Sequence, residues 1–178
     1  MSFLYGEATD PASAFAEADG KYGPIDFVSE PLPFGFTDYY EEEMGPGLRR
    51  RLIAFRPLIP PEGIVDAKLW TNSLEEKYLN SRRGRTINVD PGVLAAAKFI
   101  LATGKDYTHR IYLGKGIFGD LTLIFRNGAF TPLPWTYPDY ASEPLSGIIG
   151  LLRRQYLWQI KQGQKGKWEK GEEGKNRW

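Results

Sequence analysis

The chain has 178 residues, 42% hydrophobic and 14% aromatic, with 23 Lys and Arg against 22 Asp and Glu. That is the composition of one folded domain, and the charge balance gives no overall attraction to nucleic acid or to a membrane surface. With no cysteine and one histidine, disulfides, thiolate zinc sites, iron–sulfur clusters, cysteine nucleophiles and single-chain multi-histidine metal sites are excluded; a hard cation such as Mg²⁺ held by carboxylates stays open.

The N-terminus lacks the basic and apolar regions of a signal peptide, and no apolar run has the length that crosses a bilayer, so the expected location is the cytoplasm. Residues 3–8 read as a short strand. Asp10-Pro11 reads as a helix start, a side-chain acceptor followed by a proline whose missing N–H costs nothing, and Ala12, Phe15 and Ala16 fall inside the helix. A strand is expected at 25–29, broken by Pro31, Pro33 and Gly35, and another at 48–58, where Leu52 and Ala54 alternate with Ile53 and Phe55. Pro60-Pro61-Glu62 opens a helix with Ile64, Val65, Leu69 and Leu74 at roughly helical spacing, which Thr71-Asn72 could interrupt.

Residues 86–89 read as a strand, and Asp90-Pro91 repeats the cap signal. Residues 93–102 are apolar nearly all round and read as a buried helix stopped by Gly104. Strands are expected at 108–113 and 120–125, and Asn127-Gly128 is the strongest hairpin signal, returning through 129–133. Ser142 starts a last helix with the stripe Leu145, Ile148, Ile149, Leu152, Tyr156, Ile160. Residues 162–178 are mildly basic, with little apolar content besides Trp168 and Trp178, and read as a flexible tail on a single domain of 1–161. The sum is an α+β two-layer sandwich: a ferredoxin-like β-α-β-β-α-β core extended by a buried helix, an antiparallel meander and a C-terminal helix. A larger mixed sheet with helices on both faces is the alternative.

Four stretches carry a resemblance: Phe34-Gly35-Phe36-Thr37-Asp38-Tyr39-Tyr40-Glu41-Glu42-Glu43-Met44-Gly45; Asn88-Val89-Asp90-Pro91-Gly92; His109-Arg110-Ile111-Tyr112-Leu113-Gly114-Lys115-Gly116; and Trp135-Thr136-Tyr137-Pro138-Asp139-Tyr140. Together they resemble the prokaryotic family known as domain of unknown function 4416. The resemblance implies membership over roughly residues 22–140 and supplies no catalytic residues. Members are sometimes labelled GTP-binding, but this chain has no G-x-x-x-x-G-K-[ST] loop to cradle phosphates.

Candidate chemistry gathers around the single histidine. His109 is the natural proton carrier, and period two in its strand places it with Ile111 and Leu113 toward the core, where a structural, hydrogen-bonded histidine is the plainer reading. Lys105, Arg110 and Lys115 could clamp an anion, or form a solvated basic face paired with Asp106 and Asp120. Asp90 could be a base or metal ligand, with Asn88 beside it. As a helix cap it would be replaceable by asparagine. Asp38 and Glu43, from an acidic run that Arg49-Arg50-Arg51 could neutralise, are candidate Mg²⁺ ligands or part of a solvated helix start. Trp135, Tyr137 and Tyr140 could stack a base or sugar, or cover the end of a sheet.

Three readings follow. The first is a cytoplasmic small-molecule-binding protein or enzyme for an anionic, phosphate-bearing or nucleotide-like ligand, with His109 and Asp90 catalytic and Arg110, Lys105, Lys115, Asn88, Trp135 and Tyr137 binding. The second is an RNA- or ribonucleoprotein-binding module using the sheet, the loop at 82–85 and the tail, although no RNP1-like run is present. A structural or assembly protein without a ligand is the third.

Overall fold

The computed structural model describes residues 1–169, with side chains as far as Gly163. The first half consists of β1 (Ser2–Tyr5), α1 (Ala12–Tyr22), β2 (Ile25–Val28), β3 (Leu32–Pro33), α2 (Glu41–Met44), β4 (Arg49–Phe55), α3 (Gly63–Glu75) and β5 (Ile87–Asp90). Its sheet runs β2-β4-β1-β5, with β3 also on β4, and every pairing is antiparallel. Each helical crossover, β1-α1-β2 and β4-α3-β5, therefore spans one intervening strand.

Period two decides what each face of this sheet meets. Phe3, Tyr5, Ile53, Ile87 and Val89 pack under Ala14 and Ala18 of α1 and Leu74 of α3. The opposite face carries Ser2, Leu4, Arg50, Leu52, Asn88 and Asp90, and register sets them in rows: Arg50 and Asn88 both lie opposite Leu4, while Leu52 and Asp90 both lie opposite Ser2. The Ala12 amide opening α1 donates to Asp10 Oδ1 at 3.0 Å, as the Asp-Pro start predicts. Thr71 does not interrupt α3; its hydroxyl donates back to the Lys68 carbonyl at 3.1 Å.

The second half holds β6 (Gly92–Leu94), β7 (Lys98–Thr103), β8 (Arg110–Gly114), β9 (Ile117–Arg126), β10 (Ala129–Pro132), α4 (Pro138–Ala141) and α5 (Glu143–Glu169). The second sheet runs β10-β9-β7-β6, with β8 also on β9. The chain is thus α+β, and it passes from the first sheet into the second across Pro91 alone.

The helix expected at 93–102 is a hairpin, β6-β7, turning at Ala95–Ala97, where the Ala95 amide donates to the Lys98 carbonyl at 2.9 Å. Phe99 and Leu101 join Leu123, Tyr140, Leu145 and Ile149 on one side, while Ile100 and Ala102 meet Ile64, Val65 and Leu69 of α3 on the other. A strand covered on both faces is apolar at every position and loses its alternation, which is why its sequence imitates a buried helix. Asp90-Pro91 accordingly begins no helix. The Asn127-Gly128 turn is as expected: both residues have positive φ, 51° and 85°, as a type I′ hairpin turn requires.

β8 also departs from expectation. It begins at Arg110, and Arg110, not Ile111, turns inward; Ile111 is 70% exposed. Arg110 lies opposite Asp120, and Asp120 lies opposite Leu101, so the three share one face. A buried carboxylate on the neighbouring strand draws the guanidinium in and turns the apolar side chains of this edge strand out. Ser142 precedes α5, its hydroxyl donating to the Asp139 carbonyl. α5 continues to Glu169, past the expected start of the tail; 170–178 lie outside the described residues.

A Cβ on Gly92 would stand 2.7 Å from the Phe99 ring and 3.1 Å from the Ile100 carbonyl oxygen. Gly92→Ala should therefore lower stability by about 1–3 kcal/mol in a denaturant melt, the usual cost of overpacking, whereas a wild-type melt would contradict this packing of the β6-β7 hairpin.

Candidate functional site

Between the two sheets lies a cleft of ≈ 710 Å³. Its floor comes from the inner faces just described. β4 contributes Arg50, β5 contributes Asn88 and Asp90, α3 contributes Lys68, Asn72 and Glu75, β8 and β9 contribute Arg110 and Asp120, and α4 contributes Asp139 and Tyr140. Loops supply the rim: Phe34, Phe36, Thr37, Tyr39 and Tyr40 from one, Gly104 and Lys105 from a second, and Tyr137 from a third.

Most of the floor's charge is already paired. Lys68, 8% exposed, donates to Asp90 Oδ1 at 2.9 Å and to the Val89 carbonyl at 3.1 Å. Asp90 Oδ2 accepts from the Asn88 amide at 2.8 Å. Glu75 accepts from the Val89 amide at 2.7 Å and from Arg85 at 2.9 Å. Arg85 grips both oxygens of Glu43 at 2.8 Å, and its remaining terminal nitrogen also reaches Asn88 Oδ1 at 3.0 Å. On the other wall Arg110 donates to Asp120 at 2.9 Å, to the Lys105 carbonyl at 3.0 Å and to the Tyr137 hydroxyl at 2.7 Å. Charges taken out of water persist only with partners of this kind.

The titrating groups respond accordingly. Burial pushes the Asp90 carboxyl up, but the Lys68 ammonium, the Arg50 guanidinium and the Asn88 amide outweigh it and hold the group below its ordinary value of 3.8. Hydrogen bonds from Arg85 hold Glu43 below its ordinary 4.5. For Glu75 burial wins over Lys68, the Val89 amide and Arg85, and its pKa is raised. Burial pushes the Tyr40 hydroxyl up to about 12, so it stays a neutral donor at physiological pH.

What remains unpaired is mainly donor. Arg50 gives Nη1 to Ser2 Oγ at 2.6 Å, and its Nε stands 2.8 Å from Asp139 Oδ2 as an ion pair out of hydrogen-bond alignment. Its other terminal nitrogen makes no hydrogen bond among the described residues. The Lys105 ammonium makes one, to the Tyr39 hydroxyl at 3.0 Å. The Tyr140 hydroxyl is buried and makes no hydrogen bond among the described residues. Of the lining carboxylates, Glu75, Asp90 and Asp120 have both oxygens hydrogen-bonded, and only Asp139 does not. Five cations (Arg50, Lys68, Arg85, Lys105, Arg110) face four lining carboxylates (Glu75, Asp90, Asp120, Asp139), and Glu43, which holds Arg85 from outside the lining, brings the charges level.

Of the residues singled out in the sequence, Lys105, Arg110, Asn88, Asp90 and Tyr137 line this cleft. Each of the three Arg110 nitrogens already donates once, so the side chain organises the wall. His109 lies behind it, Nε2 at 3.2 Å from Asp120 Oδ2 and its ring stacked on Trp135 at 5.0 Å between centroids. Trp135 donates to the Leu121 carbonyl at 2.8 Å. Lys115 lies apart, paired with Asp66 at 2.7 Å on the surface. Asp38 is exposed and Glu43 is spent on Arg85; among the described residues no three His, Asp or Glu side chains are placed to hold a metal. Arg49-Arg50-Arg51 do not neutralise the acidic run: Arg50 pairs with Asp139, Arg49 with Glu7, and Arg51 donates to the Ser29 carbonyl.

Lys68 and Glu75 are named by no motif, and the stretches that contain Arg50, Arg85 and Asp139 do not show that these meet in the cleft. A signal for the first two exists: Ile64, Lys68, Thr71 and Glu75 form one buried stripe of α3, so the charges sit at apolar positions of the helical period.

Fold and site together define an α+β protein with a charge-lined cleft between two antiparallel sheets. The chain belongs to the family described as Domain of unknown function (DUF4416), whose model matches residues 1–156. No curated protein and no solved structure matches it.

Because Asp90 neutralises a buried lysine and caps no helix, asparagine should not replace it. Asp90→Asn should cost about 3 kcal/mol, as when one partner of a buried pair is removed. Since the folded pKa is depressed, the stability Asp90 contributes is fully present above pH 3.8 and is lost as the pH falls below that value. Melts from pH 6 to 3 should therefore fall more steeply for wild type than for Asp90→Asn; parallel curves, or a variant as stable as wild type, would contradict the pairing.

Proposed function

We propose that the protein binds an anionic, phosphate-bearing small molecule in the cleft between its sheets. The observation that carries this reading is the donor surplus. All lining carboxylates but Asp139 have both oxygens hydrogen-bonded, while among the described residues Lys105, the second terminal nitrogen of Arg50 and the Tyr40 hydroxyl keep unused donors. A ligand that satisfies them must be rich in acceptor oxygen, and charge-assisted bonds favour an anion. A cleft of ≈ 710 Å³ falls in the size range of small-molecule sites.

The strand order β2-β4-β1-β5, with α1 and α3 on one face, supports calling the first sheet ferredoxin-like. Such a sheet serves RNA best as an open platform. Here α1 and α3 cover one face, and on the other Leu4 and Leu52 are buried. Arg85, from the basic loop, is spent on Glu43 and Glu75. These features favour the small-molecule reading over the RNA one.

In a thermal-shift series with inorganic phosphate, sugar phosphates and nucleotides, a ligand at one hundred times its Kd should add about 2.7 kcal/mol of stability. Lys105→Ala, which removes an exposed side chain, should weaken that ligand about tenfold or more, the worth of a charged hydrogen bond. If no anion stabilises the protein while single-stranded RNA binds with steep salt dependence, the RNA reading takes its place.

A further inference from the structure

We infer that the ligand carries a flat aromatic ring on its phosphate, and that the rim of the cleft seats this ring; the inference rests on the anion reading above. Three large aromatic side chains stand at the mouth and are far from buried: Phe36 is 47% exposed, Tyr39 64% and Tyr137 47%. They come from two separate loops, so their gathering there is a product of the tertiary fold.

Each ring is held in place by something other than burial. Phe36 lies edge-on to Phe34 at 5.9 Å, and Tyr39 edge-on to Tyr40 at 4.9 Å with the planes at 90°. Tyr137 is fixed through its hydroxyl, which accepts from Arg110 at 2.7 Å and leaves much of the ring uncovered. The Lys105 ammonium lies 4.7 Å from the centre of the Tyr39 ring, which brings the freest cation of the cleft to its aromatic edge. Aromatic rings kept fixed and partly exposed around one opening are suited to stack a flat ring, and stacking discriminates little between heterocycles.

The size of the cleft points the same way. An inorganic anion would leave most of ≈ 710 Å³ filled with water and would make no use of the rim. A phosphate monoester of an aromatic alcohol uses both zones: its oxygens meet Arg50 and Lys105, and its ring meets Phe36, Tyr39 and Tyr137.

The probes are phenyl phosphate, methyl phosphate and phenol, titrated calorimetrically against wild type, Phe36→Ala and Phe36→Leu. Phenyl phosphate should bind wild type at least tenfold tighter than methyl phosphate, and both Phe36 variants should lose that advantage while their affinity for methyl phosphate stays unchanged. Phe36→Leu keeps apolar bulk but no ring face, so it decides the matter should Phe36→Ala fail to fold. Equal affinity of phenyl and methyl phosphate, or Phe36 variants that keep the full advantage, would overturn the aromatic seat and leave the anion reading standing. If neither phosphate binds, or if phenol binds as tightly as phenyl phosphate, the anion reading falls and this inference with it.

Discussion

A charge taken out of water must find its opposite, and this cleft is organised by that demand. Lys68 in the middle of α3 is buried with an ammonium to satisfy, and Asp90 at the end of β5 is the carboxylate that satisfies it. That pair ties a helix on one face of the first sheet to a side chain on the other, at the residue before Pro91, where the chain crosses to the second sheet. Glu75, Arg85 and Glu43 extend the pairing toward α2, so the loop after α3 and the acidic run are tied to the same floor. On the facing wall Asp120 does the same for Arg110, backed by His109 and Trp135.

Such pairing fixes geometry at little net gain in stability, because desolvation offsets most of the attraction between the charges. Its consequence is chemical. With the oxygens of Glu75, Asp90 and Asp120 consumed by neighbours, most of the groups left free along the cleft are donors, and the cleft is an acceptor-seeking surface although its charges balance. Preorganisation follows too: Arg110 and Asn88 have no freedom to swing away, so a ligand would meet a wall already in place.

The sequence reveals what is periodic and hides what is assembled. The α+β class, the Asn127-Gly128 turn, the Asp10-Pro11 start of α1 and the stripe of α5 are local signals, and each appears where expected. The hairpin at 92–103 is not legible, because a strand buried on both faces has no alternation to read. Asp120 is named in the sequence as a surface partner of Arg110, but that the pair turns inward and is buried depends on register across the sheet. Of the candidate site, Lys105, Arg110, Asn88, Asp90 and Tyr137 are found from local composition, whereas Arg50 and Asp139 meet only through the fold, from β4 and α4. Glu143–Glu169 continues as one helix where composition alone reads a tail from Gln162, a reminder that helical hydrogen bonds do not require an apolar stripe.

The central claim is that the donors left over in the cleft recognise an anion. Its most direct test is a crystal structure determined in concentrated phosphate. A phosphate should occupy the cleft with oxygens within hydrogen-bond distance of the free terminal nitrogen of Arg50 and of the Lys105 ammonium. Phosphate ordered only on outer surfaces, with nothing but water in the cleft, would contradict it.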